Sequence, residues 1–132
     1  MTRKVALLVL AAAFLSGITA YAHHSFAALY DGKKEVKLEG TLVQFQFRNP
    51  HAFVLVEAPD ESGQPQRWAI EWGGTTALTG DGVTKTTLKY GDHVIITGSP
   101  SRTPGDHKLR MNTLKRTSDG FEWGTKAGEV VN

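Results

Sequence analysis

The sequence feature that most constrains the fold is a long alternation of apolar and polar residues, EVKLEGTLVQFQFRNPH, which begins at Glu35. Apolar residues or glycine occupy every second position as far as Leu42, and the alternation continues in the opposite phase from Val43. A period of two is typical of a strand with one buried face, and a change of phase beside Gly40 indicates a β-bulge. Because Pro50 cannot donate a ladder hydrogen bond, the pattern predicts a long, bent first strand that ends before it.

Four further segments have the composition of strands: HAFVLVEA, RWAIEW, HVIITG and LRMNTLKRT. Residues typical of turns, such as Gly, Pro, Asp and Ser, lie between the strand-like segments. Between the third and fourth strands, GGTTALTGDG has the pattern of one or two helical turns. The tail contains Phe121 and Trp123, which we expect to pack back on the sheet or to close it.

This order of elements predicts an all-β fold, a small five-stranded OB-like β-barrel with one short helix between strands 3 and 4. The OB-fold is a Greek-key barrel, in which a bent antiparallel sheet closes on itself and so hides its edges. A small β-sandwich is the alternative that the number of strands also allows. The sequence has no cysteine, so that disulfides, zinc-thiolate sites and thiol nucleophiles are excluded and the apolar core alone must hold the domain together.

The first residues, MTRKVALLVLAAAFLSGITAYA, have the three parts of a secretory signal peptide. Arg3 and Lys4 form a positive start, an uncharged and mostly apolar run follows, and Ala20-Tyr21-Ala22 has the small-x-small pattern that signal peptidase cleaves. The apolar run is shorter than the roughly 20 residues that a membrane-spanning helix needs. We therefore expect cleavage after Ala22 and export to the bacterial periplasm or the cell exterior; an uncleaved membrane anchor is the alternative.

Cleavage would divide the chain into three parts and remove its basic excess. The parts are a cleaved signal peptide at 1–22, an N-terminal lead-in with HHSF at 23–34 and the β-barrel domain at 35–132. The whole chain has 15 Lys+Arg and 13 Asp+Glu, and two of the basic residues lie in the signal peptide. Because nucleic-acid-binding domains usually have a basic face, a balanced mature chain gives no indication of a nucleic-acid partner.

The mature chain would begin with His23, whose α-amine and imidazole can together chelate one metal ion. A nitrogen-rich, tetragonal set of donors suits copper(II), and a further imidazole would complete a histidine brace. His51 is the first candidate for that imidazole, because rigid backbone at a strand end would hold it. His24 is adjacent, although neighbouring side chains of an extended segment point apart; His93 and His107 are the other candidates. The sequence thus predicts a metal site with His23, His24 and His51 as its ligands.

The alternative for these histidines is a mobile polar tail, since chain ends are usually poorly ordered. Phe26 favours an ordered segment, because its apolar ring can dock the terminus on the barrel.

A second candidate site involves the tryptophans of the third strand. Trp68 and Trp72 lie on one face of that strand, Glu71 lies on the other, and His93 stands at a barrel end. Paired tryptophans can stack on sugars or bases, although most aromatic rings in a domain of this size belong to the core. We assign Trp68, Glu71, Trp72 and His93 to this ligand-binding site; exposure of both tryptophans would favour it and burial of both would weaken it.

Five stretches of the chain together resemble a known family: AHHSF, LEGTL, NPHAF, WAIE and LKYGDHVIITGSPSR. The resemblance is to small exported bacterial proteins, an uncharacterised family called domain of unknown function family 6152, and it extends from His23 to about Gly120. It implies export, a small β-barrel and a recurring association of HHSF with NPHA, but no established activity, cofactor or catalytic residue. One departure is Gly82-Val83, where the family pattern usually has Gly-Trp.

These observations predict an exported binding protein, and they favour such a protein over an enzyme. Its partners would be a metal ion or small ligand and a periplasmic protein, with no nucleic acid and no membrane span after cleavage. Copper(II) is the expected cofactor. The alternative function is a periplasmic module that binds a saccharide, a peptide or a protein and holds no metal.

Overall fold

The computed structural model of the protein describes residues 26–124. The predicted signal peptide, His23, His24 and the last eight residues lie outside this range. Within the range, no helix has the length and apolar character needed to cross a bilayer.

The described chain consists mainly of strands. A helical turn at residues 26–29 precedes them, and the elements that follow are β1 (Val36–Gln46), β2 (Phe53–Pro59), β3 (Pro65–Glu71), α1 (Thr75–Gly80), β4 (His93–Pro100), β5 (Lys108–Arg116) and β6 (Glu122–Trp123). They follow one another in the order that the sequence predicted.

The strands form a sheet in the order β3-β2-β1-β4-β5-β6, and an additional pairing of β3 with β5 closes the first five into a barrel. This closing contact is parallel and runs from Ala69 opposite Lys108 to Glu71 opposite Arg110, whereas the other pairings are antiparallel. The prediction of a five-stranded OB-like barrel with a short helix between strands 3 and 4 is therefore confirmed. The closing pairing also brings the end of β3 beside the start of β5, where the candidate site lies.

Strand β1 is bent as the change of phase predicted. Its register against β2 shifts between Leu42 and Gln44, so that Val43 is the extra residue of the bulge. Gly40 lies just before the bulge, and a Cβ atom there would collide with the carbonyl oxygen of Glu57 on β2. The absence of a side chain at Gly40 thus allows the two backbones to approach closely where the sheet curls.

The core fills the interior of the barrel with aliphatic side chains from all five strands. The fully buried ones include Leu42, Val54, Val56, Ile70, Val94, Ile96, Leu109 and Leu114. Trp72, directly after β3, is also buried, and the Trp123 ring of β6 packs edge-on against it with the centroids 5.1 Å apart. The tail therefore packs back and adds a short strand to the sheet beside β5.

The segment that leads into β1 is attached to the barrel along its length. The carbonyl oxygens of Ala27 and Leu29 accept hydrogen bonds from the Nε and the backbone N–H of Arg102, at 2.8 and 2.9 Å. The backbone N–H of Asp31 donates to the carbonyl oxygen of Pro100 at 2.9 Å. These bonds hold residues 26–31 against the end of β4 and the β4–β5 loop, so that this segment has a defined position on the barrel.

Candidate functional site

His51 lies in the β1–β2 loop, which is held beside the end of β3. Its neighbour Ala52 exchanges two backbone hydrogen bonds with the chain after β3, accepting from Trp72 at 2.8 Å and donating to Gly73 at 3.0 Å. As a result, Nδ1 of His51 lies 2.6 Å from Oε1 of Glu71.

A second attachment fixes the other side of this loop. The side-chain oxygen of Asn49 accepts from the backbone N–H and from the hydroxyl of Thr75, at 3.0 and 2.9 Å, and so caps the start of α1. The loop approaches so closely that a Cβ atom on Gly74 would lie 2.8 Å from the carbonyl oxygen of Pro50. The absence of a side chain at Gly74 therefore lets the loop carrying His51 rest on the start of the helix.

Glu71 is buried on the outer side of the barrel, with only 8% of its surface exposed. Its neighbour Ile70 points inward and is fully buried, so that Glu71 points outward on the opposite face of β3. There its Oε2 accepts a hydrogen bond of 2.6 Å from the phenol of Tyr30. Each carboxylate oxygen thus has a partner, one from the lead-in segment and one from the β1–β2 loop.

Tyr30 is well suited to remain a donor to this carboxylate. Its ring is 6% exposed, and burial together with the hydrogen bond to Glu71 raises the pKa of the Tyr30 phenol well above its ordinary value. The phenol therefore stays protonated through the physiological range, and the buried carboxylate keeps its partner.

The contact with Glu71 determines which nitrogen of His51 is free. An ionised carboxylate can only accept hydrogen bonds, so the neutral imidazole carries its proton on Nδ1 and has its lone pair on Nε2. Metal-binding histidines commonly show this arrangement, in which a carboxylate holds one ring nitrogen and the other binds the ion. About a third of the His51 side chain is exposed, so the ring is accessible from outside.

Phe26 lies between His51 and a guanidinium group. Its ring centroid is 5.0 Å from that of His51, and Cζ of Arg110 lies 3.5 Å from the Phe26 centroid. Arg110 stands opposite Glu71 in the parallel pairing that closes the barrel. Phe26, the first described residue of the chain, therefore packs directly against His51, which the sequence predicts as a metal ligand.

The described residues do not make a metal site by themselves. Within 26–124, no three His, Cys, Asp or Glu residues are grouped so that they could hold an ion. The remaining predicted ligands, His23 and His24, lie just before Phe26 and outside the described range.

The residues of the second candidate site do not form an exposed platform. Trp72 is buried in the core at 2% exposure, whereas Trp68 is half-buried and donates its Nε1–H to the carbonyl oxygen of Ala58 at 3.3 Å. His93 lies on the surface with Nε2 2.8 Å from Oε1 of Glu39. The two tryptophans are thus not available together, and Glu71 belongs to the site around His51.

Trp68 nevertheless lines a cleft of about 560 Å³ at one mouth of the barrel. The walls of the cleft include Val36, Leu38, Pro59, Pro100 and His107. The His107 ring meets Trp68 edge-on, with the centroids 4.9 Å apart.

Sequence reasoning missed two members of the site and the role of a third. Tyr30 and Arg110 are not among the site residues that the sequence predicts, and Glu71 is assigned there to the site with the tryptophans. One signal was available for Glu71, namely its outward position in a strand whose alternate residues are large and apolar. Its pairing with His51 depends on the register of β2 against β3, in which Phe53 stands opposite Glu71, and no local pattern marks that register.

The chain also has a recognisable family. No curated protein and no solved structure matches it significantly. The model of a family of unknown function, DUF6152, matches residues 11–110, a span that includes His23, His51, Glu71 and Arg110. The chain therefore belongs to the DUF6152 family.

Proposed function

We propose that this protein is an exported copper(II)-binding barrel, in which the α-amine and imidazole of His23 and the imidazole of His51 hold the ion. His24 is a further candidate donor. The protein would carry copper or present it to a periplasmic redox partner.

The observation that carries this proposal is the packing of the Phe26 ring against the ring of His51, at 5.0 Å. Only His24 and Ser25 lie between His23 and Phe26 in the sequence, and three residue steps of extended chain span at most about 11 Å. His23 is therefore within reach of His51 on the side where Phe26 lies. The bonds that attach residues 26–31 to the barrel argue against a lead-in that moves freely up to β1.

The orientation of His51 supports the same proposal. Glu71 holds Nδ1, so Nε2 is the nitrogen with a lone pair for an incoming ion. A free α-amine has a pKa near 8 in unperturbed peptides, and a bound metal favours its deprotonated form. Three nitrogen donors in a T-shaped arrangement suit copper(II) better than the divalent ions that prefer oxygen ligands.

The proposal is tested by changing the residue at which the chain begins and measuring the affinity for copper(II). Protein that begins at His23 is compared with a matched chain that retains Ala20-Tyr21-Ala22, whose amine lies three residues before His23, and both are titrated with copper(II) in competition with a chelator of known affinity. We expect the longer chain to bind copper at least about tenfold more weakly, because its amine no longer closes a chelate ring with the His23 imidazole. Equal affinities would rule out the amine as a ligand.

A second candidate function is the binding of a saccharide in the cleft beside Trp68. The volume of about 560 Å³ lies in the range of small-ligand sites, and the fixed indole offers an aromatic surface at a barrel mouth. The test is an NMR titration of ¹⁵N-labelled protein with cellotriose, maltotriose and chitotriose, in which the indole N–H signal of Trp68 is followed. A saturable shift of this signal and of backbone amides that line the cleft, with the amide shifts lost in Trp68→Phe, supports this function, and no shift at millimolar sugar contradicts it for these probes.

A further inference from the structure

Arg110 has a hydrogen-bonding capacity that the described chain does not use. Its guanidinium lies over the Phe26 ring at 3.5 Å, and its Nη1 is buried without a hydrogen-bond partner among residues 26–124. Buried donors in folded proteins nearly always have an acceptor, because a donor that is removed from water without a partner destabilises the fold. The stack on Phe26 fixes the guanidinium plane, so that any acceptor must come to it.

The nearest carboxylate does not fill this role. Glu71 faces Arg110 across the β3–β5 pairing, but its two oxygens accept from Tyr30 and lie against His51, and no ion pair joins Glu71 to Arg110 in the described chain. Tyr30 is equally occupied, since its hydroxyl donates to Glu71 at 2.6 Å.

The chain directly before Phe26 can supply the missing acceptor. Residues 23–25 are joined to the residue whose ring Arg110 covers, and they bring three backbone carbonyl groups and the hydroxyl of Ser25. We infer that Arg110 is the docking residue for residues 23–25, to which its Nη1 donates a hydrogen bond while its guanidinium plane clamps Phe26. The occupant of this part of the surface is thus the protein's own amino-terminal segment.

This docking does not itself require a metal, but its purpose rests on the proposed copper site. A terminus held in place loses less conformational freedom when the ion binds, and such preorganisation strengthens binding. Arg110 is accordingly a positioning residue: it acts on copper affinity through residues 23–25 and does not ligate the ion.

The docking is tested without copper, on protein that begins at His23. Backbone ¹⁵N relaxation reports the order of the amides of His24 and Ser25 in four proteins: wild type, Arg110→Leu, Phe26→Ala and Phe26→Tyr. We expect order parameters near 0.8 in the wild type and in Phe26→Tyr, and below about 0.6 in Arg110→Leu and Phe26→Ala. Because Phe26 precedes the barrel, Phe26→Ala tests the same contact without altering a barrel strand.

The matched control is Arg67→Leu, which removes an exposed arginine of β3 whose guanidinium lies 4.0 Å from Glu57. It should leave the order of residues 24 and 25 unchanged. Wild-type amides that are as mobile as an ordinary chain end, or amides that stay ordered in both Arg110→Leu and Phe26→Ala, would overturn the docking.

A second arm measures copper(II) affinity in the same proteins. We expect Arg110→Leu and Phe26→Ala to bind copper about tenfold more weakly than wild type and Arg67→Leu. Loss of docking with unchanged affinity would show that Arg110 does not serve the metal site. Ordered residues 24 and 25 in a wild type that binds no copper would overturn the proposed function and leave the docking intact.

Discussion

At the scale of single residues, the site depends on a buried carboxylate with two partners. Glu71 is 8% exposed and joins the phenol of Tyr30 to the imidazole of His51 through contacts of 2.6 Å each. A buried carboxylate is stable only when its oxygens are paired, so each partner supports the orientation of the other. His51 is thereby fixed before any ligand arrives.

Replacing Tyr30 should destabilise the fold through Glu71. In Tyr30→Phe the Oε2 atom of Glu71 stays buried without its donor, and we expect the free energy of unfolding in urea to fall by about 1–3 kcal/mol. The matched control is Tyr90→Phe, because the Tyr90 ring is 82% exposed and its hydroxyl is solvated. Equal stability of Tyr30→Phe and wild type would contradict the pairing.

The stability contributed by Tyr30 should also depend on pH. Burial and the bond to Glu71 raise the pKa of the Tyr30 phenol, so the folded chain keeps a proton that the unfolded chain loses near pH 10. The contribution is fully present below about pH 10 and declines as the pH rises beyond it. Urea unfolding at a series of pH values should therefore show a steeper alkaline loss of stability in wild type than in Tyr30→Phe.

Replacing Glu71 should weaken the metal site more than the fold of the barrel. Glu71→Gln keeps the shape of the side chain but removes the charge that holds Nδ1 of His51, and we expect copper(II) affinity to fall by about 10–100-fold. Isothermal titration with a competing chelator measures this change. Glu57→Gln, at a carboxylate that is 58% exposed on β2, is the matched control and should bind as wild type does.

At the scale of elements, the β1–β2 loop and the lead-in segment meet at the end of β3, and Gly74 allows the loop to approach closely. The β1–β2 loop rests on the start of α1 through Asn49, and Gly74 leaves room for the carbonyl group of Pro50. The lead-in segment covers the other side of Glu71. These contacts hold His51 and the entry of the chain in one place although they come from distant parts of the sequence.

A side chain at Gly74 should therefore disturb the loop that carries His51. In Gly74→Ala the new Cβ would lie 2.8 Å from the carbonyl oxygen of Pro50, and overpacking of this kind costs about 1–3 kcal/mol. Urea unfolding measures the loss. Gly80→Ala is the control, because a Cβ atom on Gly80 meets nothing within 4 Å and should leave stability nearly unchanged; equal effects of the two substitutions would contradict the close approach.

At the scale of the whole molecule, the sequence predicted what local patterns encode. The phase change near Gly40 indicated the bend of β1, and the turn residues indicated the order of strands and the place of the short helix. The place of Arg110 opposite Glu71 depends on the parallel closure of β3 on β5, whereas the contact of His51 with Glu71 follows from the register of β2 against β3, in which Phe53 stands opposite Glu71. Residues joined only by that closure are far apart in the chain, so no local pattern marked them as partners.

Export is a prediction about the whole chain. If signal peptidase cleaves after Ala22, protein recovered from the periplasm of a bacterial host should have the intact mass of residues 23–132. The measurement is electrospray mass spectrometry, with the chain lacking residues 1–22 and carrying a new initiator methionine as the cytoplasmic control. An exported mass that includes residue 22 would show that His23 has no free α-amine. The copper site that depends on this amine could then not form.

In the proposed function, the amino terminus and the barrel bind one copper ion together. Its most direct test is the electron paramagnetic resonance spectrum of one equivalent of copper(II) on the chain that begins at His23, compared with His51→Ala and with the free peptide of sequence HHSF. We predict that the wild-type spectrum differs from both, because only the folded protein adds the His51 imidazole to the terminal nitrogens. A wild-type spectrum identical to that of the peptide, and unchanged in His51→Ala, would contradict the claim.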